Sequence, residues 1–423
     1  MSSVYDILNE RGFLEQVTDP NVAALLQREK VTLYCGFDPT VSSLHVGSLV
    51  PIMGLAHFQR AGHRPLIIVG GATGMIGDPS GKSEERNLLT PRQVEANSVA
   101  IEKQLSHFVT FEGDNAARML DNADWIGPYS YLEWLRDVGK HFTINAMLTK
   151  DSVRRRLEDR EHGISYTEFS YMLLQAYDFL HLYRQYGCKL QVGGNDQWGN
   201  ITAGIDLIRR MGHEQTYGIT FPLLTTAGGE KFGKTAAGAV WLDAERTSVW
   251  DFYQYWVRAD DRDVIRFLKL FTFLPLEQIA ALERQLADHP EQRAAHKALA
   301  REATALVHGR DQAEAMERGA AVLYGQEIKD LTDDQLRALF ADAPSHRIDR
   351  DRLAQGVPIV DLLVEAQVVP SKSEARRRLS AGGVYLNNIS VDGNCVVNTS
   401  SLASPSCIVV RSGKKNYCLI QVG

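Results

Sequence analysis

Three short stretches of the chain set groups suited to phosphate chemistry on glycine-punctuated backbone. The first, Leu44-His45-Val46-Gly47-Ser48, stands where a β-rich run gives way to helical spacing. A helix start there offers unpaired N–H groups and the positive end of the helix dipole, Gly47 lets another group approach the backbone, and His45 can donate to a phosphate oxygen. The second runs from Gly70 to Arg86 and contains five glycines, with Asp78 able to pair with an ammonium and Lys82 and Arg86 able to neutralise polyphosphate. Its Gly81-Lys82-Ser83 imitates the end of a Walker loop, but Ile76 stands where that motif needs its first glycine, so it is not one. The third is Lys231-Phe232-Gly233-Lys234-Thr235, flanked by Gly228-Gly229 and Gly238. Two lysines three apart on such a loop suit a lid over transferring phosphates. Taken singly, each stretch also has a bland reading: a packed histidine, a solvated loop, a common lysine pair.

The elements around these stretches put them at one edge of a sheet. Val31–Phe37 is β-rich and stops at Asp38-Pro39, and Val46–Arg60 then carries apolar residues at helical spacing. Pro65–Val69 is a nearly all-apolar run of the kind buried on both faces of a parallel sheet. Further on, Thr167–Tyr186 reads as a long helix, Cys188–Val192 as a strand, Gln197–Met211 as a helix and Ile219–Leu224 as a strand. Strands alternating with helices predict an α/β fold, a doubly wound parallel sheet with its ligand site at the carboxyl ends of the strands. After about Trp241 the strand signals stop and helical periodicity takes over through Leu323. The expected organisation is a Rossmann-like catalytic domain over 1–245, an all-α domain over 246–338, a linker over 339–352 and a small α+β domain over 353–423.

Composition bounds the function classes. With 423 residues, 44% hydrophobic and 23% charged, the chain is long enough for two or three domains and too ordinary for a disordered or fibrous protein. No apolar run reaches membrane-span length and the N-terminus lacks the basic start and apolar stretch of a signal peptide, so a soluble cytoplasmic protein is expected. The five cysteines show neither a C-x-x-C pair nor zinc-like spacing, and no metal site is expected. From Asp351 onward eight basic residues face five acidic ones, so the tail carries +3 of a total of −6 and the rest of the chain −9. Such asymmetry points to a polyanion-binding appendage on an acidic body.

In their order, the stretches resemble the class I aminoacyl-tRNA synthetases: His45-Val46-Gly47-Ser48 is similar to the HIGH motif and Lys231-Phe232-Gly233-Lys234-Thr235 to the KMSKS motif. The resemblance narrows to bacterial-type tyrosyl-tRNA synthetase through Tyr34-Cys35-Gly36-Phe37-Asp38-Pro39-Thr40, Gly77-Asp78-Pro79-Ser80-Gly81, Tyr171-x-x-x-Gln175-x-x-Asp178 and Gln191-x-Gly193-Gly194-Asn195-Asp196-Gln197-Trp198-Gly199-Asn200. Bacterial-type members usually carry a second histidine where this chain has Ser48, whose shorter hydroxyl could cap the helix or reach a nucleotide through water. A small-molecule nucleotidyltransferase shares the fold but needs neither a helical domain nor a basic tail. A synthetase-derived RNA-binding protein would not need Lys231, Lys234, Asp178 and Tyr34. Tryptophanyl-tRNA synthetase, the nearest relative in the class, is disfavoured by Tyr34 with Asp178 and by the tail.

The resemblance implies a two-step ligase that uses ATP with Mg2+, L-tyrosine and tRNA(Tyr), works as a homodimer and holds no permanent cofactor. It implies that Tyr34 and Asp178 hydrogen-bond the phenolic hydroxyl of tyrosine, that Tyr171, Gln175 and Asp78 hold its ammonium, and that Gln197 lines the amino-acid region. Buried groups aimed at a hydroxyl reject the analogue lacking it because they are then left unpaired, and tyrosine-activating synthetases are the standard instance. Thr40, His45, Lys82, Arg86, Lys231, Lys234 and Thr235 are expected to stabilise the transferring phosphates, and Asp38, Gly47, Ser48 and Asp196 to contact the nucleotide. From 357 on, the tail resembles the alpha-L RNA-binding module, with Lys372, Arg376 and Arg377 expected on phosphates and Gly382-Gly383 turning into a strand.

Overall fold

The computed structural model describes residues 3–80, 89–158, 163–235, 238–323, 325–328, 331–340, 343–413 and 416–423, with backbone alone at 151–152, 155–156, 234–235 and 323. Lys82 and Arg86 therefore lie outside the described residues, as do the side chains of Lys234 and Thr235. The chain forms two compact units, one of residues 1–248 and 255–307 and one of residues 249–254 and 308–423. The helical stretch 246–338 is thus divided between them.

In the first unit, β1 (Gln16–Val17), β2 (Thr32–Phe37), β3 (Arg64–Val69), β4 (Arg118–Asp121), β5 (Cys188–Gly194) and β6 (Tyr217–Phe221) lie in the spatial order β1-β6-β5-β2-β3-β4. All neighbours pair in parallel except β1 with β6. Strand order reverses between β2 and β5, so the crevice for a ligand opens beyond the carboxyl ends of those two strands. The apolar run of β3 is buried from Pro65 to Val69, as a strand covered on both faces must be. β4 escapes sequence reading because it is four residues long with Arg118 and Asp121 at its ends. β6 stops at Phe221, short of Leu224, because Pro222 cannot supply the next ladder N–H.

Helix α1 (Leu49–Arg60) returns β2 to β3, the short α2 (Ala123–Ile126) follows β4, and α3 (Tyr131–Asp137) comes next. The long α4 (Tyr166–Tyr186) begins at a Ser165/Glu168 capping box and ends on Gly187 in the left-handed conformation. It leads into β5, after which α5 (Trp198–Arg210) packs back on α4. One core cluster joins Tyr34 and Leu66 of the sheet to Phe179 and Leu182 of α4 and Leu207 of α5. The site-bearing residues thus stand on elements fixed by burial. Past Phe221 a small hairpin, β7 (Lys234–Thr235) with β8 (Gly238–Ala239), precedes residues in which only helices occur among those described up to 338.

In the second unit, β9 (Ser345–Ile348), β10 (Val357–Pro358), β11 (Val384–Leu386), β12 (Ile389–Ser390), β13 (Val396–Val397), β14 (Cys407–Ser412) and β15 (Asn416–Val422) accompany helix α6 (Lys372–Ser380). The main sheet runs β12-β11-β14-β15-β9. The stretch 339–352, expected as linker, therefore contains an edge strand parallel to β15. Its sequence Ser-His-Arg-Ile buries only Ile348, so no alternation announces it. Val322, Ile328, Leu336 and Phe340 share a core with Cys407, Val409 and Leu419, so within the second unit the residues from Val322 to Phe340 and the tail sheet pack together.

Candidate active site

A cavity of about 670 Å³ opens at the carboxyl ends of β2 and β5, where the strand order reverses. Tyr34, Asp38, Thr40, His45, Gly47, Ser48, Asp78, Tyr171, Gln175, Asp178, Asp196, Gln197 and Lys231 all line it. Each was singled out from sequence, and residues from 34 to 231 converge there. Tyr171, Gln175 and Asp178 reach it together because spacings of four and three put them on one face of α4.

At the floor, Asp178 is 3% exposed and its two oxygens are taken from β4's exit: Asn122 Nδ2 donates to Oδ2 at 3.0 Å and Trp125 Nε1 to Oδ1 at 2.7 Å. Burial pushes the Asp178 carboxyl up to about 7 against the pull of those two donors, with Asp38 and Asp121 pushing the same way. Tyr34 is 1% exposed, and its hydroxyl has no hydrogen-bond partner among the described residues. Burial first, then the Asp178 charge, keep that hydroxyl protonated far above its ordinary range. The floor is thus a neutral O–H donor and a carboxylate around one small volume.

Higher up, Asp38 accepts from Thr73 Oγ1 at 3.0 Å and from the Tyr171 hydroxyl at 3.2 Å. Asp78 accepts from the Ser80 N–H at 2.9 Å and from Gln197 Nε2 at 2.6 Å. Gln197 Oε1 in turn accepts from Gln175 Nε2 and from Asn200 Nδ2, both at 3.1 Å. Burial also raises Asp196, with Asp78 adding to the shift and Lys231 opposing it. Four carboxylates in a half-closed cavity make a field that favours a cationic group. Sequence reading gave no role to Asn122, Trp125 or Asn200. Asn200 is visible within the motif around Gly199, whereas Asn122 and Trp125 follow β4, which the sequence does not announce, and carry no signal of their own.

The mouth is built from the histidine and lysine motifs. His45 precedes a 3₁₀ turn over Val46–Ser48, and its Nδ1 accepts the Gly47 N–H at 3.0 Å. In the neutral ring Nδ1 is then the acceptor and Nε2 carries the proton. Backbone bonds from Val46 N–H to the Val240 carbonyl (2.9 Å) and from Leu242 N–H to the Leu44 carbonyl (2.9 Å) tie the histidine motif to the segment after the lysine motif, and Val240 N–H in turn donates to the Gly233 carbonyl (3.1 Å). Gly233 has φ +80°, and a Cβ there would meet Val46 Cγ2 at 2.9 Å and Gly47 N at 3.1 Å, so only glycine permits this approach. The loop expected as a mobile lid is anchored at its centre: Phe232, 4% exposed, stacks on Phe271 at 5.1 Å and packs on Phe267 at 5.0 Å. Lys231 beside it is exposed. Ser48 does not cap α1; it is itself in the right-handed helical region, continuing the 3₁₀ turn into the helix, and makes no side-chain cap bond.

The family model described as tRNA synthetases class I (W and Y) matches residues 26–324, well over half of the chain. The "Tyrosine--tRNA ligase" of Rhodopirellula baltica is 52% identical over 424 residues, covering 100% of this chain and 97% of that protein. The chain belongs to the tyrosine–tRNA ligase family of class I synthetases. Within that family, the "Tyrosine--tRNA ligase" of Roseiflexus castenholzii is 49% identical over 425 residues, with 100% of both chains covered. The tail of this synthetase, residues 335–420, matches the model described as Tyrosine--tRNA ligase SYY-like C-terminal domain. Among solved structures, a C-terminally truncated Aspergillus nidulans mitochondrial tyrosyl-tRNA synthetase aligns with TM-score 0.70 and 32% identity, covering 77% of this synthetase and 95% of that chain.

On α6 of the tail, two of the three cations expected to meet RNA are already paired. Lys372 Nζ lies 2.7 Å from Asp361 Oδ1 and Arg377 Nη2 lies 2.6 Å from Glu374 Oε2. Arg376 is exposed on the same helix.

Proposed function

We propose that this chain activates L-tyrosine with ATP and transfers it to the 3′ end of tRNA(Tyr). The observation that carries the reading is the pairing at the cavity floor: a buried Tyr34 hydroxyl without a partner among the described residues, beside a buried Asp178 carboxylate. A phenol placed between them donates to Asp178 and accepts from Tyr34, which satisfies both groups; phenylalanine satisfies neither. The amino acid's ammonium then falls among Asp78, Tyr171, Gln175 and Gln197, and its carboxylate points to the mouth.

In the first step a tyrosine carboxylate oxygen bonds to the α-phosphorus of ATP and the bond to the pyrophosphate oxygen breaks, giving tyrosyl-adenylate. In the second, a terminal hydroxyl of the tRNA attacks the acyl carbon and AMP leaves. No protein nucleophile is required, so rate comes from positioning and from charge stabilisation. His45 Nε2–H, Thr40, Lys231, Lys234, Thr235, Lys82 and Arg86 would hold the phosphates, and Asp38, Gly47, Ser48 and Asp196 the nucleoside. Mg2+ would enter with the ATP phosphates; among the described residues no three His, Cys, Asp or Glu side chains gather as a metal site.

The helices of 246–338 and the tail of 353–423 are read as surfaces for tRNA, with Arg376 of α6 the readiest phosphate contact. A homodimer is supported by an apolar face on and after α3, where Leu132 is 77%, Ile144 59% and Tyr166 66% exposed. No helix among the described residues is long and apolar enough to cross a membrane, and the cytoplasm is the proposed place of work. The experiment is direct: labelled L-tyrosine, ATP and tRNA should give acid-precipitable tyrosyl-tRNA(Tyr), and loss of the label's attachment when ATP is withheld is expected. Charging with tryptophan in place of tyrosine would overturn the reading.

A further inference from the structure

The carboxylate that reads the phenol is held by Trp125, and Trp125 itself is held by a residue outside the cavity. Its indole lies face to face with the His181 ring, the centroids 4.5 Å apart and the planes 10° from parallel. The same indole's Nε1–H donates to Asp178 Oδ1 at 2.7 Å. His181 and Asp178 are three residues apart on α4, so one turn of one helix grips the indole twice, by its N–H and by its face. Trp125 stands on a helix of only four residues, with no ladder to fix its orientation. Asn122, just before it, holds the other Asp178 oxygen at 3.0 Å.

We propose that His181 is a positioning residue for amino-acid selection: its ring, stacked on Trp125, keeps the indole N–H on Asp178 and so keeps the carboxylate aimed at the phenol. The inference rests on the tyrosine-activating reading above. Without the stack the indole keeps its N–H bond to Asp178 but loses the restraint on its face, so that bond can bend and Asn122 is left as the better-fixed of the two donors. Burial and the nearby Arg184 hold the imidazole below the ordinary histidine range, so near neutral pH the stack is between two uncharged rings. Tyr177, tilted 48° at 6.4 Å, borders the imidazole on the same helix.

The test is ATP–pyrophosphate exchange with tyrosine and with phenylalanine, run on the full chain as wild type, His181→Ala and His181→Phe. Loss of an aromatic stack corresponds to roughly 2- to 10-fold. His181→Ala should therefore raise the KM for tyrosine by about that factor and lower the tyrosine-to-phenylalanine ratio of kcat/KM, with kcat and the KM for ATP unmoved. His181→Phe, which restores a flat ring, should recover the wild-type ratio. A merely structural role would depress all substrates together and would not be rescued by a ring. An unchanged ratio in His181→Ala, or a His181→Phe variant as impaired as His181→Ala, refutes the proposal. If the wild type itself fails to exchange with tyrosine, the functional reading fails instead, and the two failures are told apart by that arm.

Discussion

Lowering the pH from 8 to 6 should erode the preference for tyrosine over phenylalanine by roughly tenfold. Asp178 is pushed up to about 7 by burial, so about nine tenths of it is ionised at pH 8 and about one tenth at pH 6. The ionised form accepts the phenol proton, whereas the protonated form brings a donor of its own to a floor where Asn122, Trp125 and Tyr34 already supply donors. Phenylalanine has no phenol to lose, so the ratio of kcat/KM values isolates this group from others that titrate in the same range. Linkage fixes the sign for stability as well. Because the folded pKa lies above the 3.8 of an ordinary aspartate, Asp178's contribution is full below about pH 4 and is lost as pH rises through about 7. That loss is on the order of 4 kcal/mol, and on the proposed reading bound tyrosine offsets part of it by giving the carboxylate a third hydrogen bond. The assay is pyrophosphate exchange with both amino acids at half-unit steps from pH 6 to 8.5, on wild type and Asp178→Asn. The variant should be flat, and its amide must set a donor against Asn122 or Trp125. A wild-type ratio independent of pH, or a slope that survives in Asp178→Asn, would refute the reasoning.

Three other outcomes follow from the same geometry. Tyr34→Phe removes a buried hydroxyl that lacks a partner among the described residues, so thermal unfolding should show equal or greater stability while the tyrosine KM rises roughly 3- to 10-fold. His45→Ala should lower the pre-steady-state rate of adenylate formation by on the order of 10²-fold with tyrosine affinity by equilibrium dialysis nearly unchanged, since His45 stands at the mouth and not at the floor. Arg376→Glu should leave pyrophosphate exchange intact, weaken tRNA charging and shallow its salt dependence by about one charge; equal loss of both activities would speak against the tail as an RNA surface. The charge change is a cleaner probe than removing 353–423, because Val322, Leu336 and Phe340 lose their cover when that sheet is cut away.

Much of the catalytic architecture was legible because burial on both faces writes itself as apolar runs. β3 is readable on that ground and β2 and β5 as short β-rich segments between helices, and the i, i+4, i+7 spacing of Tyr171, Gln175 and Asp178 brings all three to the cavity. Asn122 and Trp125 were not legible, since their partner Asp178 is more than fifty residues away and no local pattern marks a side chain that crosses from one strand's exit to another helix. Nor could periodicity show that Phe232 anchors the lysine loop, because its partners Phe267 and Phe271 lie on a later helix. The +3 of the tail overstates the charge that its helix leaves available. Asp361 meets Lys372 across the fold, and only the Glu374 to Arg377 pair was written in the helical spacing. β9 failed for a different reason: an edge strand with one buried residue needs no alternation.

The central claim is that the floor formed by Tyr34 and Asp178 selects tyrosine. Amino-acid-dependent exchange of labelled pyrophosphate into ATP, with tyrosine, tryptophan and phenylalanine supplied in turn, measures that claim most directly. Exchange should be strong with tyrosine and far weaker with the other two; exchange that favours tryptophan, or that treats phenylalanine as tyrosine's equal, would contradict it.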